Sequence, residues 1–195
     1  MKSPEEIKEV LKPLEGCGLY YWVAGNSIVS FFLGKKIQEV NIYFQSSKDR
    51  SAAEGYLFSK GYKTIKRLAS GSKMRKGNSV IDLLFSKKTP EETLKRFDFS
   101  IACAAIDSNG TFYCHESFFK DMEEKNLNYT GNQQNMGSYS FKNKSLRLLK
   151  YMNQGFSIKD NKNMIFWLKK LNEDQEQIKQ NRIPKIKEFN ILKMC

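Results

Sequence analysis

The sequence predicts an α+β fold, in which a mixed sheet of about five strands is followed by a helical C-terminal tail. Short segments with strand character alternate with short helices over the first part of the chain, and turn residues separate them. Beyond residue 136 the apolar residues recur at helical spacing. The 40% hydrophobic and 13% aromatic content indicates a packed core and excludes a mainly disordered chain.

Capping signals and glycines set the limits of the predicted helices. The motif TPEE at residues 89–92 predicts a helix that runs to about Phe97, with Thr89 and Glu92 as the reciprocal capping pair. The similar motif SPEE near the N-terminus predicts a helix that ends near Pro13. Two further helices, each closed by a glycine, are predicted in NSIVSFFLG and SKDRSAAEGYLFSKGY.

Apolar and alternating segments predict the strands. They are GLYYWVAG, residues 37–44, YKTIKRLA, NSVIDLLF and the end of SNGTFYCH. The segments YKTIKRLA and NSVIDLLF flank a glycine-rich turn, so we expect these two strands to pair with each other. The segment DFSIACAAID has a mixed pattern.

The positive charge is concentrated toward the end of the chain. The protein has 195 residues and a formal net charge of +12, and residues 142–195 hold 13 Lys or Arg against 5 Asp or Glu. A basic field of this kind attracts nucleic acid or acidic protein surfaces. The polar stretch TGNQQNMGS separates a predicted domain at residues 1–135 from a basic helical extension at residues 136–195.

Signals for export, membrane insertion and metal clusters are not found in the sequence. No apolar run approaches the roughly 18 residues of a membrane span, and the N-terminus carries no apolar signal core. We therefore expect an intracellular protein with no membrane partner. The cysteines are widely spaced and are expected to be reduced, and His115 is the single histidine. The four cysteines are Cys17, Cys103, Cys114 and Cys195.

The strand in IQEVNIYF has one polar face. Side chains alternate along a strand, so Glu39, Asn41 and Tyr43 share one surface while Val40 and Ile42 face the other way. Two carboxylates at this spacing would hold a divalent cation against phosphates, but the second position here is an amide. A solvated face of an amphipathic strand is the simpler alternative.

The order of these segments resembles the head of the DNA polymerase beta superfamily of nucleotidyltransferases. A strand, a glycine, a short helix, Leu-Gly, basic residues and an acidic strand follow one another, as in the CCA-adding and poly(A) polymerase branch and in a group of phage-encoded nucleotidyltransferase-like proteins. The resemblance covers roughly residues 19–156 and implies a nucleotidyltransferase-like palm. Its best local matches are VAGNSIVSFFLGKKIQEVNIYF, TLKRFDFSIACAAID and SLRLLKYMNQGF.

The resemblance implies a metal site on the acidic strand. The family's Asp-x-Asp motif falls on Glu39 and Asn41, and Asp82 in VIDLLF matches the third carboxylate. These three residues are the candidate catalytic residues, and Glu39 and Asp82 are the candidate metal ligands. Asn41 in place of an aspartate removes a negative charge that such a site uses to hold its cation.

The resemblance also implies a nucleotide site built from two motifs. The glycine turn, which is Gly-Gly or Gly-Ser in the family, is Gly25-Asn26 here, and the family's RRDFT pattern is RFDFS, which retains Arg96 and Asp98. These four residues are the candidate nucleotide-binding residues. Further departures from the family pattern occur at Val29, Ser30 and Ala102.

Together these departures favour a protein that has lost catalysis and acts as a binding or structural component. The phage-type resemblance implies the virion as a location for such a component. The alternative is an active, magnesium-dependent nucleotidyltransferase that transfers a nucleotidyl group to RNA or another acceptor. A third interpretation is an unrelated basic module whose local matches are accidental. No cofactor is expected under the first interpretation, and Mg²⁺ is expected under the second.

The basic extension is expected to bind a protein partner or assembly, with nucleic acid as the alternative. Ile178, Ile183 and Ile186 offer apolar contacts along an otherwise polar helix, which suits a protein interface. Phe166 and Trp167 lie between lysines, so they are interpreted either as helix core or as residues that stack on bases.

Overall fold

The computed structural model describes residues 4–68, 70–130 and 140–160 with isolated positions from 162 to 176, and seven strands of this part form one mixed sheet. The strands are β1 (Trp22–Ala24), β2 (Glu39–Phe44), β3 (Lys63–Leu68), β4 (Gly71–Lys76), β5 (Ser79–Phe85), β6 (Ala104–Asp107) and β7 (Phe112–Cys114). Their order is β3-β4-β5-β2-β1-β6-β7, in which β2 and β5 are parallel and the other neighbours are antiparallel. The predicted mixed sheet is confirmed, with seven strands where about five were expected.

Five α-helices and two 3-10 helices lie in the described ranges. They are α1 (Asn26–Phe32), α2 (Ser47–Ser59), α3 (Pro90–Leu94), α4 (Phe118–Glu124) and α5 (Ser140–Met152), with 3-10 helices at Pro4–Leu14 and Ser100–Ala102. Thr89 Oγ1 accepts a hydrogen bond from the Glu92 N–H at 3.2 Å, and the Glu92 carboxylate accepts one from the Thr89 N–H at 3.0 Å. α3 therefore begins with the predicted capping box, although it ends before Phe97.

None of the helices in the described ranges has both the length and the apolar character that crossing a membrane requires.

The two strands that the sequence pattern missed are β4 and β6. β4 occupies the predicted glycine-rich turn and pairs with both β3 and β5, so the expected direct pairing of YKTIKRLA with NSVIDLLF is wrong. Gly71 permits this pairing, because a Cβ at that position would lie 1.8 Å from the Leu83 carbonyl oxygen. All four residues of β6 are buried, and a strand that is buried on both faces shows no alternation of polar and apolar residues.

The two faces of β2 have different surroundings. Val40 and Ile42 are buried in the core, whereas Glu39 and Asn41 point to the opposite face and are more exposed. A second apolar cluster covers part of this opposite face, next to the two polar residues. It comprises Trp22, Ala24, Leu94, Cys103 and Ala105, with Tyr43, Phe97 and Tyr113 packed against them.

The chain divides into two compact units, residues 1–132 and 133–195, and the sheet belongs to the first. In the second unit, the ring of Tyr151 in the last turn of α5 and the ring of Phe156 just beyond it lie with their centroids 6.2 Å apart. The assignment of separate roles to residues 1–135 and 136–195 stays a prediction. The tail residues singled out above, Phe166, Trp167, Ile178, Ile183 and Ile186, lie outside the described residues, as does Cys195.

We predict that Gly71→Ala lowers the free energy of unfolding by about 1–3 kcal/mol, because the added methyl group forces β4 away from β5. Gly55→Ala is the matched control. Gly55 lies inside α2 with open space at its Cβ position, so alanine there should stabilise the protein by about 0.5–1 kcal/mol. Urea unfolding measures both changes, and equal effects at the two glycines would contradict the close approach of β4 to β5.

Candidate functional site

The register of β2 against β5 brings the predicted acidic residues together. Asn41 lies directly opposite Asp82 across this parallel pair, and Glu39 precedes Asn41 by two residues on the same face. The predicted convergence of these three side chains therefore follows from the strand pairing itself.

A lysine that the sequence analysis did not single out lies between the two carboxylates. Lys73 on β4 pairs with Asp82 on β5, and its Nζ lies 2.5 Å from Glu39 Oε1 and 3.3 Å from Asp82 Oδ2. The ammonium group thus contacts both candidate metal ligands. The sequence signal for Lys73 was weak, because it depended on recognising GSKMRK as a strand with Met74 buried and Lys73 on the other face.

The charges at this site favour a protonated lysine and a weakly acidic Asp82. Burial raises the pKa of Asp82 to about 6; Glu39 also raises it, and the nearby Lys73 opposes this shift. Partial burial by itself lowers the pKa of Lys73. The hydrogen bond to Glu39 and the charge of Asp82 outweigh burial, so the pKa of Lys73 is raised. Asp82 Oδ1 is buried and has no hydrogen-bond partner among the described residues.

These residues do not fit a two-metal site. Such a site needs several anionic oxygens on one face, whereas Asn41 is neutral and Lys73 already contributes a positive charge between Glu39 and Asp82. A divalent cation could bind there only after the lysine had moved away.

The glycine turn lies at the start of α1, beneath an aromatic ring. Gly25 has φ +84°, and a Cβ on it would lie 3.2 Å from Cε1 of Phe97. The Gly25 N–H donates to the Ala104 carbonyl oxygen at 3.2 Å, so this backbone donor is used within the fold. Asn26 turns its amide toward Ser30 Oγ at 3.4 Å. The Phe97 ring therefore packs against the backbone that the family resemblance assigns to phosphate contact.

The other two candidate nucleotide-binding residues have contrasting environments. Arg96 is exposed, whereas Asp98 is 5% exposed. The Thr130 hydroxyl donates to the carbonyl oxygens of Phe97 and Asp98 at 2.8 and 3.2 Å. These two hydrogen bonds hold the Phe97–Asp98 backbone in place.

The thiols of Cys103 and Cys114 are unsuited to nucleophilic chemistry. Burial raises the pKa of Cys103 to about 12, and it also raises the pKa of Cys114. His115 Nδ1 lies 2.9 Å from Ser117 Oγ, in a network that continues to the buried Asp121. His115 therefore takes part in a polar network at the start of α4.

The fold is that of nucleotidyltransferase-like proteins. A crystal structure of a tRNA nucleotidyltransferase with a primer tRNA and an incoming ATP analog is similar with a TM-score of 0.59 and 17% identity, covering 90% of this chain and 52% of that one. The Thermotoga maritima CCA-adding enzyme complexed with tRNA has a TM-score of 0.60 and 18% identity, covering 90% and 42%. At these identities the likeness concerns the fold, and the chain spans about half the length of these proteins.

The chain belongs to the Gad2 family, described as Gabija anti-defense 2 family protein, whose family model matches residues 5–125. No curated protein matches the chain.

We predict that Asp82 contributes a pH-dependent part of the stability. Its pKa of about 6 in the folded protein lies above its ordinary value of 3.8. The contribution is therefore fully present below about pH 3.8 and is lost as the pH rises through about 6. The free energy of unfolding of the wild type minus that of Asp82→Asn should fall between about pH 4 and pH 7.

Urea unfolding at a series of pH values measures this difference. In a Lys73→Met background the same fall should occur at higher pH, because the ammonium charge that lowers the pKa of Asp82 is gone. A difference that does not change with pH would show that Asp82 titrates at its ordinary value.

Proposed function

We propose that this chain counteracts the Gabija defence by binding, and that its nucleotidyltransferase-like site does not transfer nucleotides. The family description supports the counteraction of Gabija, and action by binding is our inference from the site. The position of Lys73 between Glu39 and Asp82 is the observation that carries the second part.

Simple electrostatics show why the lysine matters. Two unit charges about 4 Å apart near a protein surface interact with about 4 kcal/mol, so a divalent cation and an ammonium at that distance would repel each other by about 8 kcal/mol. Lys73 and a magnesium ion would therefore compete for the same two carboxylates. Asn41 adds no negative charge that would shift this competition toward the metal ion.

The glycine turn supports the same conclusion independently. Nucleotide phosphates would need to approach the backbone at Gly25, where the Phe97 ring already packs and where Asn26 replaces a smaller residue of the family pattern. Loss of phosphate contact and loss of metal binding affect the same step, since phosphoryl transfer depends on positioning and charge stabilisation.

The second candidate function is an active, magnesium-dependent nucleotidyltransferase acting on RNA or another acceptor. The alignment of Asn41 with Asp82, close to Glu39, and the unpartnered Asp82 Oδ1 are the observations in its favour. In this case Lys73 must leave the carboxylates and Mg²⁺ must take its place.

We predict that the wild-type chain incorporates none of the four ribonucleotides into RNA in the presence of Mg²⁺ or Mn²⁺. Asn41→Asp combined with Lys73→Ala should bind Mn²⁺ more tightly than either single variant, because it adds a carboxylate and removes the competing cation. The double variant should still show no turnover, because Phe97 continues to cover Gly25. Radiolabelled nucleotide incorporation and Mn²⁺ titration followed by electron paramagnetic resonance provide the two measurements. Wild-type turnover that disappears in Asp82→Ala would favour the active enzyme.

The binding partner is proposed to be a protein that contacts the second unit. Leu146, Leu149 and Met152 of α5 are each about half exposed, at 54%, 54% and 49%, and they recur every three residues along one side of the helix. Apolar side chains grouped in this way supply binding energy at protein interfaces, while the surrounding basic residues favour an acidic partner. An intracellular location and a place in a phage virion stay predictions.

We predict that Leu146→Ser with Leu149→Ser weakens the relief of Gabija defence in cells that carry Gabija and express the protein. The reason is loss of apolar contact with the partner, at about 1–3 kcal/mol for each leucine that is buried on binding. Ser157→Ala, an exposed and uncharged change in the same unit, is the control and should retain most of the relief. Expression levels and thermal unfolding of the three proteins should agree. Full relief by the double serine variant would exclude this surface.

A further inference from the structure

The strands beyond the candidate site carry basic side chains on the same face of the sheet. Lys63 of β3 lies opposite Arg75 of β4, and Lys66 lies opposite Lys73, which already points toward Glu39. Side chains of directly paired residues project from the same face, so these basic residues share the face of the candidate site.

The contacts of α2 show that this face is the one turned away from the helix. Thr64 Oγ1 donates to Glu54 of α2 at 3.0 Å, and Arg67 forms an ion pair with the same carboxylate at 2.5 Å. A register shift between Thr64 and Lys66 places Lys66 on the same side as Lys63 despite their odd spacing. The two lysines consequently point away from α2.

A fourth basic residue extends this surface along the end of the strands. Lys36 and Arg75 line a shallow cavity of about 390 Å³ together with Gln38, Glu39 and Asn78. Lys36, Lys63, Lys66 and Arg75 are all exposed, and in the described ranges none of the four forms an ion pair. We refer to these four residues as the basic sheet face.

The charges of the basic sheet face are not cancelled by the acidic residues beside it. The two neighbouring carboxylates, Glu39 and Asp82, both contact Lys73. Lys73 neutralises one of these two negative charges, so the four exposed cations still outnumber the one that remains. Phosphate groups at regular spacing are the natural complement of such a surface.

The composition favours nucleic acid over protein, and a duplex over a single strand. Protein interfaces are poor in lysine and rich in aromatic residues, whereas three of these four residues are lysines and the side chains on this face of β3, β4 and β5 include no aromatic ring. Proteins that hold single strands stack bases on aromatic side chains, which this surface does not offer. The contacts that this surface offers are therefore contacts to a sugar-phosphate backbone.

We propose that the basic sheet face binds the backbone of a double-stranded nucleic acid without reading its sequence. This inference goes beyond the proposed function, because it assigns a second partner to the first unit. The four residues contact phosphates, and Lys73 stays on its two carboxylates.

The test is equilibrium binding of the full chain to a short DNA duplex, the matching RNA duplex and the corresponding single strands, from about 0.05 to 0.3 M salt. Four phosphate contacts predict that log affinity falls with log salt with a slope of about −3.6 for duplex DNA. Contacts of the basic tail make this slope steeper. The DNA and RNA arms identify which duplex the surface prefers.

The decisive variant is Lys63→Gln with Lys66→Gln and Arg75→Gln. It should flatten the salt slope by about 2.7 and weaken duplex binding at least about tenfold at 0.1 M salt. The charge-matched control replaces three exposed lysines on or next to other helices, Lys48, Lys95 and Lys120, by glutamine and should change the slope by less than about 1. The basic tail is unchanged in both variants, so its contribution to the salt slope is the same in each and cancels in the comparison.

Single substitutions test the same proposal if the triple variant folds poorly. Lys63→Gln and Arg75→Gln should each flatten the slope by about 0.9. Three results would overturn the proposal: no duplex binding by the wild type at the lowest salt, tighter binding of the single strands than of the duplexes, or equal losses in the face variants and in the control.

Discussion

The meeting of Glu39 and Asn41 with Asp82 depends on the parallel pairing of β2 with β5, because this register sets Asn41 beside Asp82 and Glu39 beside Val80, two residues earlier on the same face. β4 then adds Lys73 from the other side of β5. A shift of β2 by one residue would turn its polar side chains into the core and its apolar ones to solvent, so burial of Val40 and Ile42 fixes the register strongly. The ionic contacts are thus positioned by apolar packing on the opposite face.

Lys73 lies between two carboxylates, in the place where a cation-binding site would hold its ion. Two carboxylates that converge on one point repel each other, and a folded protein must neutralise that repulsion with a bound cation, a proton or a basic side chain. Here the Lys73 ammonium supplies part of the neutralisation, while burial, and to a smaller extent Glu39, raises the pKa of Asp82 to about 6.

The sequence was sufficient for the parts of the fold that have local signals. The capping box at Thr89 and the alternation in β2 were readable, since each depends on spacing or on short-range chemistry. The meeting of Asn41 with Asp82 was expected from the family resemblance, because the pairing of β2 with β5 joins distant segments of the chain. β6 and Lys73 were not readable. A strand buried on both faces has no alternation, and the position of Lys73 depends on a strand pairing that only the tertiary structure supplies.

The register shift in β3 has a consequence for how molecules of this protein meet one another. β3 is at one end of the sheet, where unpaired backbone groups offer a template for a strand from another molecule. An irregular, strongly twisted border bearing lysines is a poor template, because an incoming copy would bring the same positive charges into register with its own. The side chains that we assign to nucleic acid binding would therefore also keep concentrated protein from assembling edge to edge, and a bound duplex would relieve that mutual repulsion.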